Sequence, residues 1–392
     1  MNLGTFRNLL SPAGQEALQA ASDLSPRELD FLRHFDVLHR RFPADLARAA
    51  LEVAILRREA VRKFPFAGEL YFTRQSMEQA SNWEIAVYRA RRYQGFTRAL
   101  DLGCSVGSDT LALSRVSPVV GIDRDSLRLS MACANRDAFG TANPTEFVQA
   151  DLQTPLPCTP SLTSAIFFDP ARRADNRRAY SVHAYSPPLA MIQGWLPGFP
   201  ALGAKISPGV NLEELSGYDA EVEFISLEGE LKEAVLWFGP LRTTHRRATL
   251  LPGPHSLIST FASPLPVQEP KAFLYEPDPA VLRAGLVAEL GAQLNAAQLD
   301  ADIAYLTANE KKPTPFAKAW AVEAWFPFQL KRLRAYLRQH KVGQLTVKKR
   351  GSPLEPETLI GDLRLSGEEE RTIFLTHLRG KPIVVVSQHV EG

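Results

Sequence analysis

Asp101, Gly103 and Gly107 close one apolar run of the chain, and Asp123 closes the next, Val119-Val120-Gly121-Ile122. Glycines at this spacing let backbone approach a ligand, and an acid twenty positions beyond Gly103 is placed to accept hydrogen bonds from ribose hydroxyls. Two more acids end apolar runs: Asp151 after Phe147-Val148-Gln149-Ala150, and Asp169 after Ala165-Ile166-Phe167-Phe168. The series describes a pocket for a ligand with an adenosine half.

A nicotinamide dinucleotide and S-adenosylmethionine both carry that half. The loop reads D-x-G-x-x-x-G and lacks the G-x-G-x-x-G spacing that seats a pyrophosphate on a helix N-terminus. A carboxylate at Asp101 repels phosphate but can hold an ammonium through ordered water, which favours the methyl donor. With 392 residues and 45% hydrophobic content the chain can bury more than one core, while its net charge of +2 hides opposite local balances. Cys104, Cys133 and Cys158 have no paired or metal-type spacing, and the eight histidines are scattered, so reduced thiols and no metal site are expected. A serine-hydrolase elbow and a phosphate loop ending in Gly-Lys-Ser/Thr are absent. The opening residues lack a long apolar core, and no apolar run approaches the roughly 20 residues of a membrane span. The expectation is a cytoplasmic protein with no membrane partner.

Lys63-Phe64-Pro65, Tyr71-Phe72-Thr73-Arg74, the Asp101-to-Gly107 loop, Asp169-Pro170-Ala171-Arg172-Arg173 and Leu345-Thr346-Val347-Lys348-Lys349-Arg350-Gly351 carry a family likeness. In these segments the chain resembles the class I S-adenosylmethionine-dependent methyltransferases, and among them a bacterial branch with a C-terminal THUMP-like domain. The resemblance implies that Asp101, Gly103 and Gly107 cradle the methionine end of the cofactor, Asp123 the ribose, and Asp151 with Leu152 the adenine edge. It also puts Phe72 and Thr73, in the segment from Tyr71 to Gln79, over the methionine end, with Asp169 and Pro170 facing the methyl acceptor. Two departures stand out. Ser105 occupies a position where many members have glycine, and Ala171 with Arg172 replaces a second proline and an aromatic ring.

These residues need a scaffold. The alternation of apolar runs and helical patterns predicts strands near 98–102, 118–122, 145–149, 164–168 and 203–207, in a mostly parallel sheet with helices on both faces. Two further runs, Glu221–Leu227 and Glu233–Phe238, are joined by too few residues for a parallel crossover and must form an antiparallel hairpin. The predicted class is therefore α/β, a Rossmann-like class I methyltransferase sheet with a closing antiparallel hairpin. An N-terminal helical lobe is expected over 1–70, the methyltransferase domain over 71–240, and a THUMP-like α+β domain over 241–392. Within the lobe, Ser25-Pro26-Arg27-Glu28 reads as a capping box before a helix, and a second helix spans Pro43 to Arg62. The proline-rich stretch from Gly239 to Glu276 reads as linker, and Asp278-Pro279 opens a helix running to about Leu294.

Charge is uneven in the last third. Between Lys311 and Arg350 eleven basic residues face one acid, Glu323, and Trp320, Trp325, Phe328 and Tyr336 interleave them. Such a face attracts phosphate backbone and offers stacking surface. Lys348, Lys349 and Arg350 are the candidate substrate contacts here, and Arg172, Arg173, Arg177 and Arg178 suit a phosphate-bearing substrate near Asp169. Asp169 would orient an attacking amine; alternatively it caps a helix opened by Pro170. The leading expectation is a methyltransferase acting on ribosomal or transfer RNA. The alternatives are a small-molecule or protein methyltransferase and a noncatalytic RNA-binding protein that keeps the cofactor fold.

Overall fold

The computed structural model describes residues 1–171, 173, 174, 177, 178 and 181–389, without the side chains of 173, 174, 177, 178 and 389. It divides into two units, Met1–Glu221 with Glu233–Thr243, and Val222–Lys232 with Thr244–Gly392.

The first unit begins with helices α1 (Leu3–Leu9), α2 (Pro12–Asp23), α3 (Phe31–His39) and α4 (Ala44–Ala60). α4 is the hub of the lobe, because Ala47, Ala50, Leu51, Val53, Ala54 and Leu56 are all buried in one apolar cluster. The expected capping box does not form. Ser25 has φ 48, and a 3₁₀ turn at Glu28–Asp30 replaces the first helical turn. That offset sends Leu29 and Leu32 outward, 98% and 77% exposed, and leaves Phe35 and Leu38 to face the core.

Helix α5 (Arg74–Gln79) is closed at both ends by side chains. Thr73 and Ser76 form its capping box, and the Lys63 ammonium donates to the carbonyls of Met77, Glu78 and Ala80 at 2.9, 2.8 and 2.9 Å. Helix α6 (Trp83–Ala90) then leads into the sheet.

Strands β1 (Arg98–Leu102), β2 (Val119–Asp123), β3 (Thr145–Gln149) and β4 (Ser164–Phe168) are parallel, with α7 (Ser108–Leu113) and α8 (Ser126–Phe139) as crossovers. A two-residue ladder, β5 (Arg173–Ala174) with β6 (Arg177–Arg178), and α9 (Ile192–Trp195) precede β7 (Ala201–Ile206). The order β3-β2-β1-β4-β7 puts the switch in winding direction between β1 and β4. Ligands of wound sheets bind beyond the carboxyl ends of the strands at that point, where Asp101 and Asp169 lie. The chain then makes a hairpin of β8 (Glu221–Leu227) and β9 (Glu230–Phe238) around Glu228-Gly229. Both turn residues have positive φ, as a type I′ hairpin turn requires. From Ala234 to Phe238 β9 runs antiparallel to β7, so the expected closing hairpin is present.

In the second unit β8 pairs parallel with β10 (Arg246–Leu251), which pairs antiparallel with β11 (His255–Ile258). The stretch expected as linker therefore contributes ladder strands, because its prolines punctuate the strands instead of interrupting them. The rest is a seven-stranded sheet of β12 (Phe273–Pro277), β13 (Ala297–Asp300), β14 (Ile303–Ala308), β15 (Ala317–Pro327), β16 (Val342–Lys349), β17 (Glu369–Leu378) and β18 (Lys381–His389). Asp278 caps α10 (Pro279–Ala284) through Ala280 N at 2.8 Å, but Gly285 at φ 72 ends that helix and α11 (Val287–Leu294) follows separately. Leu333 and Leu337 of α12 (Leu330–Gln339) and Leu359 and Leu363 of α13 (Pro356–Leu363) pack on one side of the sheet. No helix among the described residues is long and apolar enough to cross a membrane.

One buried side chain ties the helical lobe to the loop after β1. Asn135 of α8 accepts from Tyr71 N at 2.7 Å and donates to the carbonyls of Tyr71 and Val106 at 3.0 and 2.9 Å. Asn135→Ala leaves these buried backbone groups unsatisfied and should cost about 2–4 kcal/mol of unfolding free energy, measured by urea denaturation.

Candidate active site

The loop after β1 is built from left-handed residues. Gly103 has φ 86, and a Cβ there would stand 2.8 Å from the Asp169 carbonyl oxygen, so the ends of β1 and β4 touch only because the side chain is missing. Gly107, at φ 84, is the N-cap of α7. Between them Ser105 takes φ 51, so serine adopts the conformation that glycine favours. Its amide donates to Asp123 Oδ2 at 2.9 Å, while Asp125 N donates to Asp123 Oδ1 at 2.9 Å. Asp123 thus braces the loop against the end of β2. The helix that follows is capped by Asp125, whose Oδ1 accepts from Leu127 N and Arg128 N at 2.9 and 3.0 Å.

Two buried polar atoms, Asp101 Oδ1 at the end of β1 and Ser105 Oγ in this loop, have no hydrogen-bond partner among the described residues. Orphaned buried acceptors are uncommon and call for a ligand or ordered water. A carboxylate acceptor under a glycine-lined loop fits a ligand with a cationic amino-acid end, as S-adenosylmethionine has. The Cys104 thiol between them is pushed well above its usual range by burial and by the Asp101 charge, which makes it a poor nucleophile.

A charge network missed by sequence reasoning runs beneath the loop. Lys205, 1% exposed in β7, donates to Asp169 Oδ2 and to Ser81 Oγ, each at 2.8 Å, and lies 3.7 Å from Glu233. Arg89, 2% exposed in α6, pairs with Asp109, with Glu233 at 3.1 Å and with Ser81 at 2.8 Å, and its guanidinium sits 4.6 Å over the Phe167 ring. Burial works against the Arg89 charge, but Asp109 and Glu233 outweigh it and raise the guanidinium further. Thr110 donates to Asp101 Oδ2 at 2.5 Å. Burial first, and the Asp109 charge second, push the Asp101 carboxyl well above the carboxylate range. The only signal in the chain was a lysine inside the apolar run Ala201-Leu202-Gly203-Ala204-Lys205-Ile206.

Asp169 caps no helix, because Ala171 bridges Ser186 in both directions at 3.0 Å. Its carboxylate, 20% exposed, is held at the crevice by Lys205, and Pro170 is buried beside it. Arg172 lies outside the described residues, and only the backbone of Arg173 is described. Phe72, 1% exposed, packs on Phe64 in the lobe, and Thr73 is engaged as the cap of α5. Asp151 is exposed and accepts from Gln153 N at 3.0 Å, with Leu152 buried next to it. In the second unit Lys348 pairs with Glu276, Lys349 with Glu355 at 2.7 Å, and Arg350 lies 3.7 Å from Glu276. Trp320, expected as stacking surface, is 2% exposed in the sheet core, with Lys348 over its ring.

Over 357 residues, 88% of this chain and 97% of the relative, the sequence is 30% identical to a Mycobacterium tuberculosis protein of strain CDC 1551 / Oshkosh described as an uncharacterized S-adenosylmethionine-dependent methyltransferase. The counterpart in strain H37Rv, described the same way, matches equally. The chain belongs to this family. As a methyltransferase it uses S-adenosylmethionine as its cofactor. Residues 317–389 match the THUMP domain-like family, and residues 2–60 match a domain family of unknown function. The crystal structure of a candidate methyltransferase from Porphyromonas gingivalis W83 shares the fold, with a TM-score of 0.81 at 21% identity over 96% of this chain and 99% of that one. Among the described residues no group of three or more His, Cys, Asp or Glu is arranged to hold a metal.

Two outcomes follow from the loop. Ser105→Gly relieves the left-handed strain and should raise stability by up to about 1 kcal/mol in urea denaturation. The folded protein keeps a proton on Asp101 that the unfolded chain loses near pH 3.8, so this contribution is complete below that pH and is lost as pH rises toward the higher folded value. Relative to Asp101→Asn, the free wild-type protein should therefore lose stability as pH climbs from about 4, read from thermal melts across pH.

Proposed function

We propose that this methyltransferase acts on RNA, ribosomal or transfer, at an amine nitrogen oriented by Asp169. When bound, S-adenosylmethionine supplies a methyl group already activated by its sulfonium. The protein's own task is then alignment and exclusion of water, for which proximity can contribute roughly 7–11 kcal/mol. On this reading Asp101, Gly103 and Gly107 hold the methionine end, Asp123 the ribose, and Asp151 with Leu152 the adenine edge. Asp169, fixed through Oδ2 by Lys205, accepts a hydrogen bond from the N–H of the acceptor. Pro170 shapes the wall beside it. Arg172 and Arg173 are the candidates for a nearby phosphate. The domain limits 1–70, 71–240 and 241–392 and an intracellular location belong to the same reading.

The RNA assignment is carried by one observation. Within the THUMP-like segment, Lys331, Arg332 and Arg338 of α12 and Lys341 just beyond it are exposed, and the helix Leu330–Gln339 contains no acid. Arg334, in the same helix, donates to the Asp362 carbonyl. Lys348, Lys349 and Arg350 spend much of their charge on Glu276 and Glu355, so the positive field open to phosphate lies on α12.

Replacing Lys331, Arg332, Arg338 and Lys341 by alanine should weaken binding to total RNA and lower the slope of log K against log salt by about 0.7–0.9 per lost phosphate contact. Substituting Lys348 and Lys349 should change the slope less. Methylation of RNA from cells lacking the protein, followed with labelled methyl donor and nucleoside mass mapping, should require Asp169. Unchanged RNA binding by the α12 variant would argue for a smaller acceptor.

A further inference from the structure

Carboxyls crowd together under the loop. Among the described residues Asp101, Asp109, Asp169 and Glu233 bring four carboxyls, against the two cations Arg89 and Lys205. Both cations are sealed, 2% and 1% exposed; of the carboxyls, Asp169 and Asp109 reach solvent, at 20% and 13%, whereas Asp101 does not, so its charge has no cheap solvation. Asp101 sits at the least compensated end. One of its oxygens takes the Thr110 hydroxyl at 2.5 Å, the other has no partner, and the residue is 1% exposed. The charged and titratable groups that face it are Asp109 and Arg89 from α7 and α6, Asp169 beyond β4, Tyr93 after α6 and Cys104 of its own loop. Of these, only Arg89 is a cation, and it forms ion pairs with Asp109 and Glu233.

We propose that Asp101 is the proton-exchanging residue of the cofactor pocket: it carries a proton in the free protein and yields it to solvent when S-adenosylmethionine, with its ammonium and sulfonium, binds. No electrons move. The ligand's positive charge takes the place of the proton's, and the carboxylate left behind is the acceptor for the amino-acid end. S-adenosylhomocysteine, whose sulfur is an uncharged thioether, supplies one positive charge fewer and displaces less of the proton. The pocket is thereby biased toward the charged donor and against the spent product. By linkage, donor affinity rises with pH while the proton remains to be displaced. This inference rests on the donor assignment and is independent of the RNA reading.

Isothermal titration calorimetry of the full-length protein tests it at several pH values from about 4.5 to 6.5, where the cofactor's own amino group is already protonated. Titrations are run in two buffers of different ionisation enthalpy. Binding of S-adenosylmethionine should release protons within this range, with affinity rising by up to tenfold per pH unit there, and S-adenosylhomocysteine should release fewer. Asp101→Asn should bind the donor tenfold or more weakly, with the same heat in both buffers. Equal heats for the wild-type protein in the two buffers at every pH of the series would overturn the inference alone, as would a variant that keeps the wild-type difference. Failure of the wild-type protein to bind the donor would overturn the inference together with the cofactor assignment. The wild-type titrations decide the matter even if the variant does not bind.

Discussion

Lys205 and Arg89, buried at the carboxyl end of a parallel sheet and shared among Asp109, Asp169 and Glu233 from three separate segments, are the constraint on which the site depends. An isolated cation in that position would be expelled or neutralised. The chain surrounds each with carboxylates and lays Arg89 over the Phe167 ring. The space beneath them is shaped with equal care. Gly203, two residues before Lys205, has no room for a side chain, because a Cβ would stand 2.4 Å from the Tyr93 hydroxyl and 2.6 Å from Trp237. Tyr93 in turn donates to the Ile166 carbonyl at 3.1 Å. Aromatic packing below and paired charge above hold Asp169 at the mouth of the crevice.

The same economy governs the loop over that crevice. Gly103 allows β1 and β4 to meet, Ser105 accepts a left-handed backbone, and the Asp123 carboxylate takes up the Ser105 amide. Asn135 and Lys63 extend this order into the helical lobe, one by joining Tyr71 to Val106, the other by closing α5. The lobe is thus hydrogen-bonded to the pocket's own backbone, and its aromatic core of Phe64, Phe66 and Phe72 packs behind it.

The second unit shows how ion pairing redistributes a basic segment. Eleven bases against one acid between Lys311 and Arg350 suggest a continuous positive face. Folding brings Glu276 from β12 and Glu355 from beyond β16 against Lys348, Lys349 and Arg350, and Glu323 against Arg371. What is left open to solvent is concentrated on α12, whose opposite face supplies Leu333 and Leu337 to the core.

The wound sheet, its strand-end acids, the glycine loop and the closing hairpin were legible in the chain, because apolar runs of strand length, turn residues and hairpin connections are local features with direct physical meaning. Local patterns failed where another backbone feature nearby in the chain overrode them. Ser25 did not cap a helix because a 3₁₀ turn at Glu28–Asp30 displaced the helix start, Gly285 split one apparent helix into two, and proline-rich sequence still formed ladders. Only the tertiary structure revealed that Lys205 meets Asp169 and that Arg89 meets Asp109 and Glu233, since their charges come from segments distant in sequence. Residue types and spacing determine where backbone can bend and which ligand chemistry a loop can accept. Which charges survive unpaired depends on distances across the fold, and those exist only once the chain has closed.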